Sequence, residues 1–439
     1  MKAQNSTSTK EHLFYSFLWF PLNFQSVSLF AIVLPTETLI LLKSQNFGNL
    51  SQANFVGIVS IITAIIALFV TPIAGYFSDK SFSSFGRRRP YIIGGAIIML
   101  LSMIFLIPTF FIIGVVLGYV FLQIGTSITT AAYQGIIPDV IPKTERGTAS
   151  GFLGAMTMLG SALGLGITAL FFSFNTNNAN YQEVIKHGVV LYFSLCAILL
   201  IVGTLITAFK IKEKQWQYSK KRTKKELFFI PWQSHNFRWL IISRALLWLS
   251  LSLFSTYIEF YFAAVAKSTN FIGETALLAF IALLSAIIGA LFAGKLSNKH
   301  TKPVLVAWAS IIMGIAVIPF VVLPANTFPL WILGILFGFG YGSYLSVDWA
   351  LAIDTLPSLD DAAKDLGIWG LASNLPAIAA PLIGVIILNT SKLFTSLDNS
   401  YRIIFFIAAM IFFISAMAVR NIIPVNRTYH TEKQIVKNL

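Results

Sequence analysis

The densest chemistry in this chain is ionic. Between Gly75 and Pro90 it reads Gly75-Tyr-Phe-Ser-Asp79-Lys80, five further residues, then Gly86-Arg87-Arg88-Arg89-Pro90, in a sequence of which only 11% is charged. A carboxylate within reach of guanidinium groups forms charge-assisted, often bidentate hydrogen bonds. The glycines permit close backbone approach. That combination suits a reversible latch between helix ends rather than bond making. Asp139, Glu145 and Arg146, with Pro138 and Pro142 ending a helix, form a second cluster of this kind. Asp354, Asp360, Asp361, Lys364 and Asp365 form a third. The gating candidates are therefore Gly75, Asp79, Gly86, Arg87, Arg88, Arg89, Asp139, Glu145, Arg146, Asp354 and Asp365. The plainer alternative is that these charges only orient loops and meet lipid head groups.

A second group of polar residues lies inside apolar segments. Gln123, Ser127, Thr130 and Gln134 recur at helical spacing on one face, as do Arg244, Trp248, Ser252, Ser255 and Glu259. Tyr344 and Asp348 are one turn apart, beside Trp349; Trp369 and Asn374 precede Pro376; Asn23 and Gln25 follow Pro21, and Glu37 follows Pro35. Amides, hydroxyls, carboxylates and aromatic rings together suit a polyhydroxylated ligand, whose hydroxyls need donors and acceptors and whose C–H face stacks on a ring. The binding candidates are Asn23, Gln25, Gln123, Ser127, Trp248, Ser252, Glu259, Tyr344, Trp369 and Asn374. For any single serine or threonine, hydrogen bonding between helices is the simpler explanation. Arg244 and Glu259 lie nearer helix ends, where snorkelling is the alternative.

The elements that must position these residues are membrane spans. With 56% hydrophobic residues, the chain is far more apolar than its charge would allow in a soluble domain. Spans need about 20 apolar residues. Twelve segments qualify: 13–35, 53–76, 91–111, 114–137, 149–172, 188–209, 239–262, 274–296, 303–323, 329–351, 367–389 and 402–423. A polar, basic linker, 210–238, separates an N-terminal half, 1–209, from a C-terminal half, 239–439. The net charge of +14 does not indicate a nucleic-acid partner, because the bases lie in short loops between spans. Only Lys43, Lys186, Lys267, Lys392 and Arg402 fall on the other side, and Arg244 within a span. By that asymmetry both termini, and a short C-terminal tail, face the cytoplasm.

The halves repeat. Gly75-x-x-x-Asp79 is echoed by Gly294-x-x-x-Asn298, and Asp139-x-x-Pro142 with Arg146-Gly147 by Asp354-x-x-Pro357 with Leu366-Gly367. Related six-helix halves are one of the repeat patterns of transporters. The lone Cys196 sits in an apolar run and forms no internal disulfide. His12, His187, His235, His300 and His430 are scattered, so no metal site, cofactor site or catalytic triad is expected, and the chain is not read as an enzyme. The glycines of spans 5 and 10 suit close helix packing and lack the strand–loop–helix setting of a nucleotide site.

The GRRRP loop resembles the signature loop between the second and third helices of major facilitator superfamily transporters, with the second glycine a few residues late. That variant is similar to the sucrose-transporter and glycoside–cation symporter branch, and the likeness extends to Pro138-Asp139…Arg146-Gly147 and Asp348-Trp349…Asp354…Lys364-Asp365-Leu366-Gly367. The resemblance implies an all-α membrane protein of twelve helices in two six-helix bundles, with the substrate at mid-membrane between them. It implies import of a sugar or glycoside by alternating access, coupled to protons or sodium. Two departures matter. Plant sucrose transporters look to carry a buried acid in span 4, where Gln123 stands here; melibiose-type symporters use acids in span 2, which has none. Asn298 replaces the expected second-half Asp and makes the latch asymmetric.

The expectation is therefore an integral protein of the plasma (inner) membrane. Its partners are lipid, a sugar or glycoside, and a proton or sodium ion. Export or facilitated diffusion of another small organic molecule, or sugar sensing without turnover, are the alternatives. Among the span carboxylates, Glu259 and Asp348 lie inside and Glu37 at an end. A carboxylate among aromatic rings is costly to keep charged, so Asp348 is the expected protonation site and Glu259 a substrate contact.

Overall fold

The computed structural model describes residues 8–44, 52–81, 83, 85–107, 111–172, 181–211, 232–267, 271–323, 329–391, 394 and 396–423. These residues contain helices and no strand. In hydrocarbon the backbone has no water to bond, and a helix satisfies its N–H and C=O groups within one segment. Eleven helices are long and apolar enough to cross a membrane. Leu330–Thr355, 26 residues long and rich in glycine, makes a twelfth.

We number them α1 to α12. α1 is composite: Thr9–Ser16, Trp19–Ser28, a π-turn at Leu29–Val33, and Leu34–Ser44. Then come α2 (Gln52–Asp79), α3 (Arg89–Leu106), α4 (Ile112–Gln134), α5 (Arg146–Phe171) and α6 (Tyr181–Lys210). The second half holds α7 (His235–Ala264), α8 (Phe271–Leu296), α9 (Lys302–Val322), α10 (Leu330–Thr355), α11 (Ala362–Ser391) and α12 (Leu397–Ala418).

The expected spans correspond one to one with these helices, but several helices run further. Hydrophobic length marks what lies in lipid, whereas a helix ends where its cap is. Ser8 and Glu11 form a capping box that starts α1 four residues early, and Ser234 caps α7, which begins at His235 inside the expected linker. Most of that linker, 212–231, lies outside the described residues. The larger correction is at Pro35, which does not end span 1. The N–H of Leu34 reaches back to the carbonyl of Leu29, an i→i+5 bond. The widened turn accommodates the proline's missing donor and its ring, so the helix continues to Ser44.

Lipid-facing surfaces show as exposed apolar stripes. Ile58, Ile61, Ile65, Phe69, Ile73 and Phe77 of α2 recur every three or four residues and are all exposed. Inward faces build two buried apolar clusters. One is made wholly of first-half residues, and the other of second-half residues joined by Ile137, Ile141, Ala149, Leu153 and Met158. The halves meet where α2 packs on α11 and where α5 packs on α8 and α10. Small residues allow both contacts. A Cβ on Gly75 would lie 2.6 Å from the backbone of Ala363, and one on Gly151 would lie 3.0 Å from the carbonyl oxygen of Ala290.

Candidate functional site

At one end of the molecule the charged loops close over the junction of the halves. Asp79, the last residue of α2, is 2% exposed. Its carboxylate accepts the backbone N–H groups of Ala363 (3.1 Å) and Lys364 (2.9 Å) at the start of α11, where the helix dipole favours an anion. It also pairs with Arg88 at 2.5 Å. Arg88, fully buried, donates in addition to Asp139 (3.0 Å) and to the Ser78 hydroxyl (3.2 Å). Burial opposes the guanidinium's charge, but Asp79 and Asp139 outweigh it, so its pKa rises above the ordinary arginine value. Arg87 completes the network with two bonds to Asp139 (2.5 and 3.1 Å) and longer ones to the carbonyls of Leu359 and Asp360. The bend that presents this run depends on Gly86, whose φ of 100° favours glycine. Arg89 opens α3 and is half-buried.

The pseudo-equivalent crossing uses other groups. The Asn298 amide donates to the Thr148 hydroxyl (2.6 Å) at the start of α5. Beside it Asp354 pairs with Lys302, and with Arg146 at 3.5 Å. Glu145 sits 3.5 Å from His12. Asp365 is buried and pairs with its neighbour Lys364 rather than with the first half.

One layer inward, the second half holds a buried polar cluster. Arg244 of α7 is ion-paired with Asp348 of α10 and reaches the Ser373 hydroxyl of α11 (3.4 Å). Its guanidinium lies 3.5 Å from the ring centroid of Trp369 and 5.6 Å from that of Trp248. Tyr344 is buried against Asp348. Aromatic rings carry the cluster across to the first half: Trp369 meets Trp349 at 4.6 Å, Trp349 meets Trp19 of α1 at 5.5 Å, and Trp19 meets Tyr133 of α4 at 5.9 Å. Several donors here are buried without an acceptor: the indole N–H groups of Trp19, Trp248 and Trp369 and the Arg244 Nε–H. Unpaired buried donors are costly unless something else supplies the acceptor.

Some expected residues join this cluster and others do not. Trp248, Tyr344, Asp348 and Trp369 come together. Arg244, for which snorkelling was the alternative, is 5% exposed and held inside. Asp348 is not a lone carboxylate but half of an ion pair. On the first half, Gln123 donates to Ser127 (3.3 Å), Asn23 donates to the Trp19 carbonyl (2.8 Å), and Gln25 is buried with its Oε1 unpartnered. Ser252 is half-buried, while Glu259 and Asn374 are exposed. Glu37, expected at a span end, is instead 2% exposed and accepts a hydrogen bond from Tyr119 (2.9 Å). Trp19, Tyr133 and Ser373 were not expected; Trp19 lies one turn before Asn23, and Ser373 one turn after Trp369. Within the second half a separate cavity of about 170 Å³ is lined by Phe254, Leu278, Phe320 and Phe337, with only Ser255 and Thr275 to offer hydroxyls.

The Major Facilitator Superfamily model matches residues 19–359 and 272–437 of this chain. The sucrose transport protein SUC4 of Arabidopsis thaliana is 28% identical over 115 residues, 22% of this chain and 22% of that protein. The lactose permease of Lactobacillus delbrueckii subsp. bulgaricus is 24% identical over 267 residues, 56% of this chain and 41% of that protein. These matches span less than half the length of either relative. Among solved structures, the Escherichia coli fucose:proton symporter FucP superposes with a TM-score of 0.70 at 11% identity, covering 94% of this chain and 97% of that one. At that identity the likeness speaks for the fold alone.

Proposed function

The chain belongs to the major facilitator superfamily and is a membrane transporter, not an enzyme, and on that premise we propose that it imports a sugar or glycoside by alternating access, driven by a proton gradient. The observation that carries this reading is the set of unpaired buried donors on Trp19, Trp248, Trp369 and Arg244, set among indole faces. Sugar hydroxyls supply acceptors to such donors, and a pyranose C–H face covers a Trp ring. The apolar cavity in the second half offers two hydroxyls and no indole face. The sucrose and lactose carriers among the similar proteins support the same substrate class.

On this reading the network of Asp79, Arg88 and Asp139 closes the cytoplasmic side, with both termini there, and the protein sits in the plasma membrane. The substrate enters from the opposite side and rests against the Trp layer. Its arrival lets the halves rock and the latch part. In the closed state Arg244 and Asp348 hold each other, and a ligand hydroxyl bridging them exchanges their mutual contact for contacts to itself.

The test is uptake into proteoliposomes of labelled lactose, sucrose and fucose under imposed pH or sodium gradients. Accumulation of at least one sugar under an inward proton gradient is expected. Trp369→Ala should abolish it, because both the stacking face and a donor are removed. Failure of all three sugars under both gradients, with protein correctly inserted, overturns the reading.

A further inference from the structure

We propose that Glu37 is a proton-binding site, built into the first half and separate from the Arg244–Asp348 pair. Its carboxyl is 2% exposed, packed inside the first-half core on the part of α1 that follows the π-turn. A buried carboxylate is ordinarily matched by a cation or carries a proton. Asp79, Asp348 and Asp365 each have their cation. Glu37 has the Tyr119 hydroxyl of α4.

The titratable groups that surround it come from two helices. From α4 comes Tyr119, and from α6 come Tyr192 and, behind it, Cys196. The segments of α2 and α5 that pack against this part of α1 carry no titratable side chain from Gln52 to Pro72 or from Ala149 to Phe171. Among the described side chains no base faces Glu37. The group is therefore stored with its proton. The proton joins a carboxyl oxygen from water and leaves to water, while Tyr119 donates to the other oxygen.

The same network reaches the substrate side of α1. Tyr192 donates to the Gln25 carbonyl (2.8 Å), the acceptor that the Leu29 N–H also uses at the entry to the π-turn, and accepts from Ser28 (3.2 Å). Loss of the proton from Glu37 leaves an ion that must recruit Tyr119 more strongly or leave the core. The π-turn is where α1 yields, since its i→i+5 bonds convert to α bonds by a small shift. Asn23 and Gln25 then move relative to Glu37. Protonation is thereby linked to the part of α1 that bears the candidate sugar contacts.

A substrate-free measurement tests the site. Infrared difference spectra of the purified full chain, titrated with alkali, should show a protonated-carboxylic-acid carbonyl band that is lost at high pH. Glu37→Gln should remove that band and Asp348→Asn should keep it. Tyr119→Phe should displace the pH at which it disappears. A band that persists in Glu37→Gln overturns the proposal. Should that variant fail to fold, an unmoved titration in Tyr119→Phe overturns it equally. The transport arm rests on the sugar-carrier reading. There Glu37→Gln should keep lactose exchange but lose gradient-driven accumulation at least tenfold, and undiminished accumulation would contradict the assignment. If the wild type moves no sugar, the carrier reading falls alone and the spectra still decide.

Discussion

The two crossings that join the halves share a backbone plan and differ in chemistry. Gly75 lets α2 touch α11, and Gly294 lets α8 touch α5. Four residues on, Asp79 presents a carboxylate to the first N–H groups of α11 and to Arg88, whereas Asn298 presents an amide to Thr148. The first crossing is held by the buried Asp79 carboxylate, the second by a neutral bond with the buried Arg146 and the partly exposed Asp354 beside it. The steric fit of the halves is thus duplicated, while the fully buried carboxylate is at the first crossing alone and the second has only the longer Arg146–Asp354 pair. A lock of that kind lets the halves part when one network yields.

The largest effect is expected from removing the lock's centre. Asp79→Ala leaves Arg88, which is fully buried, without its closest partner. The carboxylate's bonds from Ala363 and Lys364 are what cross between the halves, and hydrogen bonds to a charged group contribute about 1.5–3 kcal/mol each, enough to make the closed state a minor one. Spin labels on Thr144→Cys and Thr301→Cys, exposed positions on opposite halves at this end, report it as a longer distance; the native Cys196 is buried and stays unlabelled. A distance unchanged from the parent would show that Asp79 does not hold the closure.

Gly75→Ala and Gly294→Ala come next. Their added carbons would lie 2.6 Å from Ala363 and 2.5 Å from Gly151, so backbone must move in both cases. Each should weaken closure by about 1–3 kcal/mol. Similar losses mean that the two crossings are sterically alike; a loss only at Gly75 would deny the symmetry of the backbone plan.

Asn298→Asp would convert the neutral crossing into a charged one. A carboxylate at the start of α5 gains from the helix dipole, about 0.5–1 kcal/mol. The label pair should shift further to the short distance and transport should slow. Faster transport would mean that the amide is itself part of the lock. The smallest change is expected for Asp354→Asn. Its carboxylate is 26% exposed between Lys302 and Arg146, and partly solvated pairs contribute under about 1 kcal/mol. A collapse of closure in that variant would place the main lock at the wrong crossing.

Much of this was legible in the residues themselves. Apolar length counts spans, basic loops order them, and Gly75-x-x-x-Asp79 with Gly86-Arg87-Arg88-Arg89-Pro90 marks the latch because each residue type has a local reason to be there. What sequence spacing does not carry is pairing across the bundle. Arg244 and Asp348 are 104 residues apart, and nothing local tells a buried arginine from one that snorkels. The i, i+4 pairs Arg244/Trp248 and Trp369/Ser373 were the available hint. Glu37 was misplaced for a different reason: Pro35 ordinarily stops a helix, and a π-turn that rescues it leaves no mark in composition.

That π-turn also sets the phase of α1. One extra residue in a helix rotates everything beyond it by about 100° relative to what precedes it. Glu37 faces Tyr119 only because Leu29–Val33 has already inserted that angle. Shortening the chain by one residue there would restore a regular helix and swing the carboxyl out of the first-half core toward a neighbouring face, leaving the sequence on both sides untouched. The position of this acid is therefore written in the chain's arithmetic as much as in its identity, and an alignment that closes the gap at Leu29–Val33 would pair Glu37 with the wrong residue.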